Sequence, residues 1–133
     1  MGLKNIALGT TAELHLIHPG SGKSLYNDDG TPMTITLAGE HSDEYRAVTR
    51  RWQNETLRRP NRQLTADQLE ERGLDLLAAV TKDWRITLDE GLHPFSTLAA
   101  RDLYANRQLA WIKRQVEAFV YEASNFLGES PTP

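Results

Sequence analysis

The most recognisable chemical motif in the sequence is a short signature for phosphate binding. Residues 22–24, Gly-Lys-Ser, match the end of a P-loop, in which backbone N–H groups and a lysine hold the phosphates of a nucleotide. A P-loop also needs a glycine five residues before Gly22, where this chain has Ile17, and a helix directly after the loop. Because Leu25 and Tyr26 lead into a turn instead, we predict a flexible hairpin loop that binds no nucleotide.

Metal and acid–base chemistry have no better support. The Asn-Asp-Asp-Gly segment at 27–30 is similar to part of a calcium loop, but the alignment places Leu25 and Thr36 where carboxylates are needed. The sequence contains no cysteine, no Gly-x-Ser-x-Gly motif and no His-x-x-x-His pair. We therefore expect no catalytic residue, no cofactor and no metal ligand, and predict that the protein is not an enzyme.

A cluster of arginines is a better candidate for a functional site than the motifs above. Six arginines lie on or just after the first predicted helix, namely Arg46, Arg50, Arg51, Arg58, Arg59 and Arg62. The next helix carries four acids, namely Asp67, Glu70, Glu71 and Asp75. If the two helices pack as an antiparallel hairpin, these acids should neutralise part of the basic charge. Nucleic acid is therefore a disfavoured partner, although a small nucleic-acid-binding regulator using the arginine face remains an alternative function.

Length and composition limit the folds that can position these residues. The chain has 133 residues and a formal net charge of −3, with 39% hydrophobic and 25% charged residues. These values are typical of one globular domain and exclude both a disordered chain and a globally basic nucleic-acid binder. The sequence has neither the apolar segment of a leader peptide nor a membrane-spanning run, so we expect a cytoplasmic location and no membrane partner.

Residues 1–40 have the patterns of short strands. A first strand is indicated near residues 14–17, and a short middle strand at 25–26. The clearest pattern lies at 33–37, where apolar residues alternate with threonines as in a half-buried strand. We predict a small antiparallel sheet that needs helices to cover its apolar face.

Two amphipathic helices are predicted next. The first is capped by Ser42 and ends near Arg59, which precedes a proline. Its apolar face carries Tyr45, Val48 and Trp52. The second begins at Thr65, with a glutamine in capping-box spacing, and its apolar stripe continues to Trp84. Gly73 on that stripe would allow another element to approach closely, and we expect both tryptophans to lie in the core.

Two further helices complete the prediction. A short strand or extended link is indicated at 84–88, and Ser96 caps a third helix that Asn106 ends. The fourth helix is predicted from about Gln108 to Leu127. Its core-facing stripe consists of Ile112, Val116, Phe119, Val120, Ala123 and Leu127.

These elements predict an α+β fold, in which a small N-terminal antiparallel β region packs on about four helices and the chain is mostly helical. We expect a single domain over 1–133, with a β-rich part at 1–40 and a helical part at 41–128. Gly128 is a natural helix stop, and residues 129–133 are predicted to be a frayed tail.

Two C-terminal segments carry a resemblance to a known family. The stretch 109–119, Leu-Ala-Trp-Ile-Lys-Arg-Gln-Val-Glu-Ala-Phe, and Ser-Asn-Phe-Leu at 124–127 resemble the end of tail assembly chaperones of long-tailed bacteriophages. That family has a tryptophan there, then Gln-Val, an aromatic residue and a closing Asn-Phe-Leu. Residues 42–46, 76–84 and 32–35 are similar as well, so the resemblance covers most of the chain. None of these segments is a catalytic motif.

The resemblance implies a non-enzymatic assembly factor. Such chaperones bind the tape measure protein, the long helical polypeptide that sets tail length, before tail-tube subunits polymerise around it. In the family a minority product, extended by a programmed ribosomal frameshift, is thought to recruit the tube subunits. The expected partners are thus the tape measure protein and tail-tube subunits, and a second copy of the chain is a further candidate partner. The expected location is the host bacterial cytoplasm and not the mature virion.

A long helical client exposes apolar stripes that a small amphipathic domain can cover. The candidate contact residues are apolar groups beyond the needs of the core, and two arginines for polar contacts. They are Trp111, Tyr104, Phe126, Leu127, Arg50 and Arg51. A minor structural tail protein retained in the virion is the closest alternative function.

Overall fold

Three strands and four α-helices make up most of residues 2–127, which the computed structural model describes. Their bounds are β1 Thr11–His15, β2 Thr34–Ala38, α1 Asp43–Arg58, α2 Ala66–Val80, β3 Thr81–Arg85, α3 Thr97–Ala105 and α4 Ala110–Val120. Short 3-10 turns lie at Leu3–Ile6, Arg107–Leu109 and Ala123–Phe126. The predicted α+β class is confirmed. The predicted tail at 129–133, and Gly128 before it, lie outside the described residues.

The sheet is antiparallel in the order β1-β2-β3. Ile35 and Leu37 of β2 are fully buried, as the alternation with threonines predicts. The predicted middle strand at 25–26 is not a regular strand, because Tyr26 forms an isolated bridge with Pro32. The Gly-Lys-Ser segment lies in a loop that a hydrogen bond from the His18 N–H to the Lys23 carbonyl closes.

The capping signals of the first three helices are confirmed. The side chains of Ser42, Thr65 and Ser96 each accept a hydrogen bond from a backbone N–H in the first turn of their helix. Thr65 and Gln68 form the reciprocal capping box that their spacing predicts. These caps satisfy N–H groups that have no partner within the helix.

The junction of α2 and β3 differs from the prediction. The apolar stripe does not continue through the helix to Trp84, because α2 ends at Val80 and the strand begins at Thr81 with no linker. The Thr81 hydroxyl donates to the Leu77 carbonyl at 2.7 Å and so satisfies a carbonyl at the helix end. Trp84 is still a core residue at 7% exposure, and its indole N–H donates to the His93 carbonyl.

The fourth helix is shorter than predicted. It ends at Val120, and a 3-10 turn then folds the chain back toward the sheet. The Asn125 side chain donates to the Phe119 carbonyl at 3.1 Å, which caps the end of the helix. As a result Phe126 is buried, whereas Leu127, predicted to lie on the core-facing stripe, is half exposed.

The core lies between the sheet and the helices α2, α3 and α4. Helix α1 is peripheral: within the described chain, Val48 is the one buried residue of its sixteen. Trp52 is therefore only half-buried, and the Arg72 guanidinium covers its ring at 5.3 Å. The predicted close approach at Gly73 is wrong, because a Cβ atom there would have no neighbour within 4 Å. Within residues 2–127, helices long and apolar enough to cross a membrane are absent.

Candidate partner-binding surfaces

The outer side of α1 carries a shallow groove with a volume of about 570 Å³. Its lining residues are Thr49, Trp52, Gln53, Thr56 and Leu57. The first four recur at i, i+3, i+4 and i+7, which places them on one helix face. Leu57 extends that face into solvent with 79% of its surface exposed. We call this surface the α1 groove.

The two threonine hydroxyls of the α1 groove already have hydrogen-bond partners within the helix. The Thr49 hydroxyl donates to the Tyr45 carbonyl at 3.2 Å, and the Thr56 hydroxyl donates to the Trp52 carbonyl at 3.0 Å. Both threonines can therefore present methyl groups without leaving a hydroxyl unsatisfied. The groove suits an apolar helix face, because covering it would cost little desolvation of polar atoms.

A second concavity, of about 440 Å³, lies where the loop between β1 and β2 meets the α3–α4 junction. We call it the Trp111 cavity. Its walls include Leu16, Met33 and Ile112, together with the acidic residue Asp89. Trp111 is half-buried there and packs against the core. This cavity has room for an apolar side chain of a partner.

A third groove, of about 530 Å³, lies between α4 and the chain that continues β1. The Gln115 side chain spans it at one side, where its carbonyl accepts from the Ile17 N–H at 3.0 Å. The amide of Gln115 also donates to the Ile17 carbonyl at 2.7 Å. The glutamine thus takes both backbone groups that a neighbouring strand would otherwise pair with.

Two of the predicted contact residues belong to the core. Tyr104 and Phe126 are only 3% and 2% exposed, so the idea that they exceed the needs of the core is wrong. The Tyr104 hydroxyl lies 2.7 Å from the Thr81 hydroxyl, and burial raises the pKa of Tyr104 to about 12. Phe126 packs edge-to-face against Phe119 and His41. Both aromatic side chains therefore make their contacts with residues of the same chain.

The other predicted contact residues reach the surface at separate places. Trp111 lines its cavity, and Leu127 is 48% exposed beside Leu8, with which it forms an isolated bridge. Arg50 and Arg51 are exposed on α1, the helix that carries the α1 groove. The α1 groove and the Trp111 cavity share no lining residue, so the structure does not join the predicted set into one site.

The charges of α2 are arranged differently from the prediction. Glu71 and Asp75 form ion pairs with Arg101 of α3, and not with the arginines of α1. The ion pair that does join α1 to α2 runs the other way, from Glu55 to Arg72 at 2.8 Å. The prediction that the acids of α2 neutralise the arginines of α1 is therefore wrong for Glu71 and Asp75, whose ion pairs join α2 to α3.

Leu57 is the site residue that sequence reasoning missed. It lies outside the predicted stripe of Tyr45, Val48 and Trp52, and a leucine displaced from a helix's apolar face is the signal that would have identified it. Comparison of the chain with protein-family models, with curated proteins and with solved structures gave no match.

Proposed function

We propose that this protein is a tail assembly chaperone of a long-tailed bacteriophage or prophage. It makes and breaks no covalent bond, and it binds the tape measure protein in the host cytoplasm before tail-tube subunits assemble around that client. It then leaves the tail and does not remain in the mature virion. The observation that carries this proposal is the α1 groove, an apolar helix face in which Leu57 is 79% exposed.

The groove has the geometry that a helical client requires. Amphipathic helices bind to apolar surfaces through side chains of one face, and the lining of the α1 groove is itself one helix face against which another helix can pack. A single groove of this size gives weak binding, but many copies along one long client would act together. The exposed Arg50 flanks this helix face and can supply a polar contact at its edge, whereas Arg51 lies on the opposite side of α1.

The segments that resemble the chaperone family contain residues that stabilise the fold of this chain. Gln115 holds the Ile17 backbone, Val116 is fully buried, and Asn125 caps α4 so that Phe126 enters the core. The resemblance therefore supports a shared fold, and the client-binding residues are to be sought on a different element. Helix α1 meets that requirement because its outer face is not covered by the rest of the described chain.

A co-expression experiment tests this function. The full chain is produced with a fragment of the tape measure protein encoded by the same phage or prophage, and the amount of soluble complex is measured. Leu57→Asp should weaken binding at least about tenfold, because burying a leucine contributes about 1.5–3 kcal/mol and a charge cannot replace it. The matched control is Leu98→Asp on α3, where the leucine is 68% exposed outside the α1 groove.

The two variants separate the possible outcomes. Loss of the complex with Leu57→Asp, and its retention with Leu98→Asp, would support the α1 groove as the client site. A tape measure fragment that stays insoluble with the unaltered chain and never co-elutes with it would refute the chaperone function. Equal losses in both variants would assign the effect to the added negative charge and not to the α1 groove, and unchanged binding by Leu57→Asp would refute the groove as the client site.

A further inference from the structure

The end of α1 holds a concavity of about 250 Å³ that is lined almost entirely by arginine. The Arg59 N–H donates to the Glu55 carbonyl at the helix end, and the Arg62 N–H donates to the Arg59 carbonyl at 3.1 Å. This tight reversal brings Arg58, Arg59 and Arg62 around one space, with Glu55 as the fourth lining residue. We call this space the arginine pocket.

The single carboxylate of the arginine pocket is already paired. Glu55 binds Arg72 of α2 at 2.8 Å, so its charge is shared with a cation outside the pocket lining. Arg58, Arg59 and Arg62 form no ion pair with another described residue, since Glu71 and Asp75 bind Arg101 instead. Three guanidinium groups thus surround one concavity in a chain whose net charge is −3.

The chemistry of these three groups selects a particular ligand. A guanidinium group is planar and always charged, and it binds an oxyanion through two parallel N–H donors. A carboxylate carries one charge on two oxygens. A terminal phosphate carries up to two charges on three oxygens, and successive phosphates of a polyphosphate or a nucleic-acid backbone each bring another charge, so several arginines can bind at once. We propose that the arginine pocket binds phosphate groups, carried by free polyphosphate or by a single-stranded nucleic acid.

Helix stabilisation alone does not account for the pocket. A basic side chain in the last turn of a helix interacts favourably with the helix dipole, and Arg58 lies in that turn. Arg59 and Arg62 lie beyond the last residue of α1, yet they face the same space. Their placement depends on the turn that follows the helix, and their N–H donors are exposed to ligands in solvent. This site is separate from the α1 groove and does not depend on the chaperone function.

Calorimetric titration of the full chain tests the proposal. The probes are tripolyphosphate, an oligothymidylate and an oligoglutamate, each at low and at high NaCl concentration. The triple variant Arg58→Gln/Arg59→Gln/Arg62→Gln should lose at least about tenfold in affinity for the phosphate probes, since charge-assisted contacts are removed. The control Arg46→Gln/Arg107→Gln/Arg114→Gln removes the same charge from exposed arginines outside the pocket and should bind the phosphate probes normally. With three phosphates neutralised, a tenfold rise in salt should weaken oligothymidylate binding about a hundredfold.

The three probes and the two triple variants separate the possible ligands of the arginine pocket. If the affinity rises with the length of the oligothymidylate, the site binds a nucleic-acid backbone. If tripolyphosphate binds as tightly as the longest oligothymidylate, the site binds free polyphosphate. Absence of binding, equal losses in the two triple variants, or equally tight binding of oligoglutamate would each overturn the proposal. Circular dichroism checks that the variants fold. If the triple variant unfolds, the single change Arg62→Gln, outside the helix, provides the same comparison.

Discussion

Among the side-chain hydrogen bonds of the described residues, those of Gln115 span the greatest distance along the chain. Gln115 lies on α4, and both of its side-chain hydrogen bonds go to the backbone of Ile17, ninety-eight positions earlier. A primary amide is the one uncharged side chain type that can donate and accept in this parallel way. Gln115 therefore attaches the loop after β1 to the last long helix. Its role in this chain is thus to hold two distant segments together.

Replacing this glutamine should destabilise the fold. In Gln115→Ala the Ile17 N–H and carbonyl lose their partners, and we expect the free energy of unfolding to fall by about 1–3 kcal/mol. Urea denaturation followed by circular dichroism measures the change. Gln108→Ala is the control, because that side chain is exposed and has no hydrogen-bond partner within residues 2–127. Equal effects in the two variants would contradict the role assigned to Gln115.

Burial of single residues could be predicted only while the chain stays in one regular element. Ile112 and Val116 follow the period of α4 and are buried, as Ile35 and Leu37 are in β2. The prediction fails where the chain leaves the helix, because Phe126 enters the core from a 3-10 turn that periodicity does not describe. Irregular turns depend on tertiary contacts, and the contact of Phe126 with His41 joins segments far apart in sequence.

At the scale of elements, helix boundaries that carry a local signal could be predicted, including the ends of α1 and α3, whereas the ends of α2 and α4 could not. Ser42, Thr65 and Ser96 are local signals, and all three cap the helices that they were expected to cap. The ends of α2 and α4 depend on the Thr81 hydroxyl and the Asn125 amide, each of which binds a carbonyl of its helix. Neither residue type is a strong stop signal by itself, so the predicted stripes ran past both ends.

Gly73 gives a test at this scale. It lies inside α2 in a helical conformation, and an added Cβ atom would meet no atom within 4 Å. Gly73→Ala should therefore raise the free energy of unfolding by about 0.5–1 kcal/mol, because alanine loses less backbone entropy on folding. Thermal and urea denaturation both measure this gain.

The same substitution at Gly91 should have the opposite sign. Gly91 has a φ of +66°, a region that alanine adopts only with strain. Gly91→Ala is therefore expected to be less stable than the unaltered chain. A loss of stability in Gly73→Ala would instead mean that another element packs on that face of α2.

At the scale of the whole molecule, the α1 groove lies on the least buried of the four helices. The sheet, α2, α3 and α4 share one core, whereas α1 contributes one buried residue, Val48. The α+β architecture could be predicted because patterns of period two and 3.6 alternate clearly along the chain. The position of the site could not, since an apolar stripe indicates that a helix face will be covered but not by which partner. The stripe of α1 predicted a core helix, and the structure leaves its neighbouring face open.

This division predicts unequal opening of the folded protein. Amide protons of α1 should exchange with solvent through a local opening whose free energy is at least about 2 kcal/mol below that of global unfolding, because few buried contacts hold the helix. The amides of β2, α4 and the second half of α2, where Leu74 and Leu76 are buried, should exchange only by global unfolding. Native-state hydrogen exchange at increasing denaturant separates the two classes. If α1 exchanges as slowly as the core, it belongs to the same cooperative unit, which would contradict the prediction. A client that binds only the folded groove should slow the exchange of α1, and it should also slow exchange by global unfolding, because the unfolded chain has no groove to bind it.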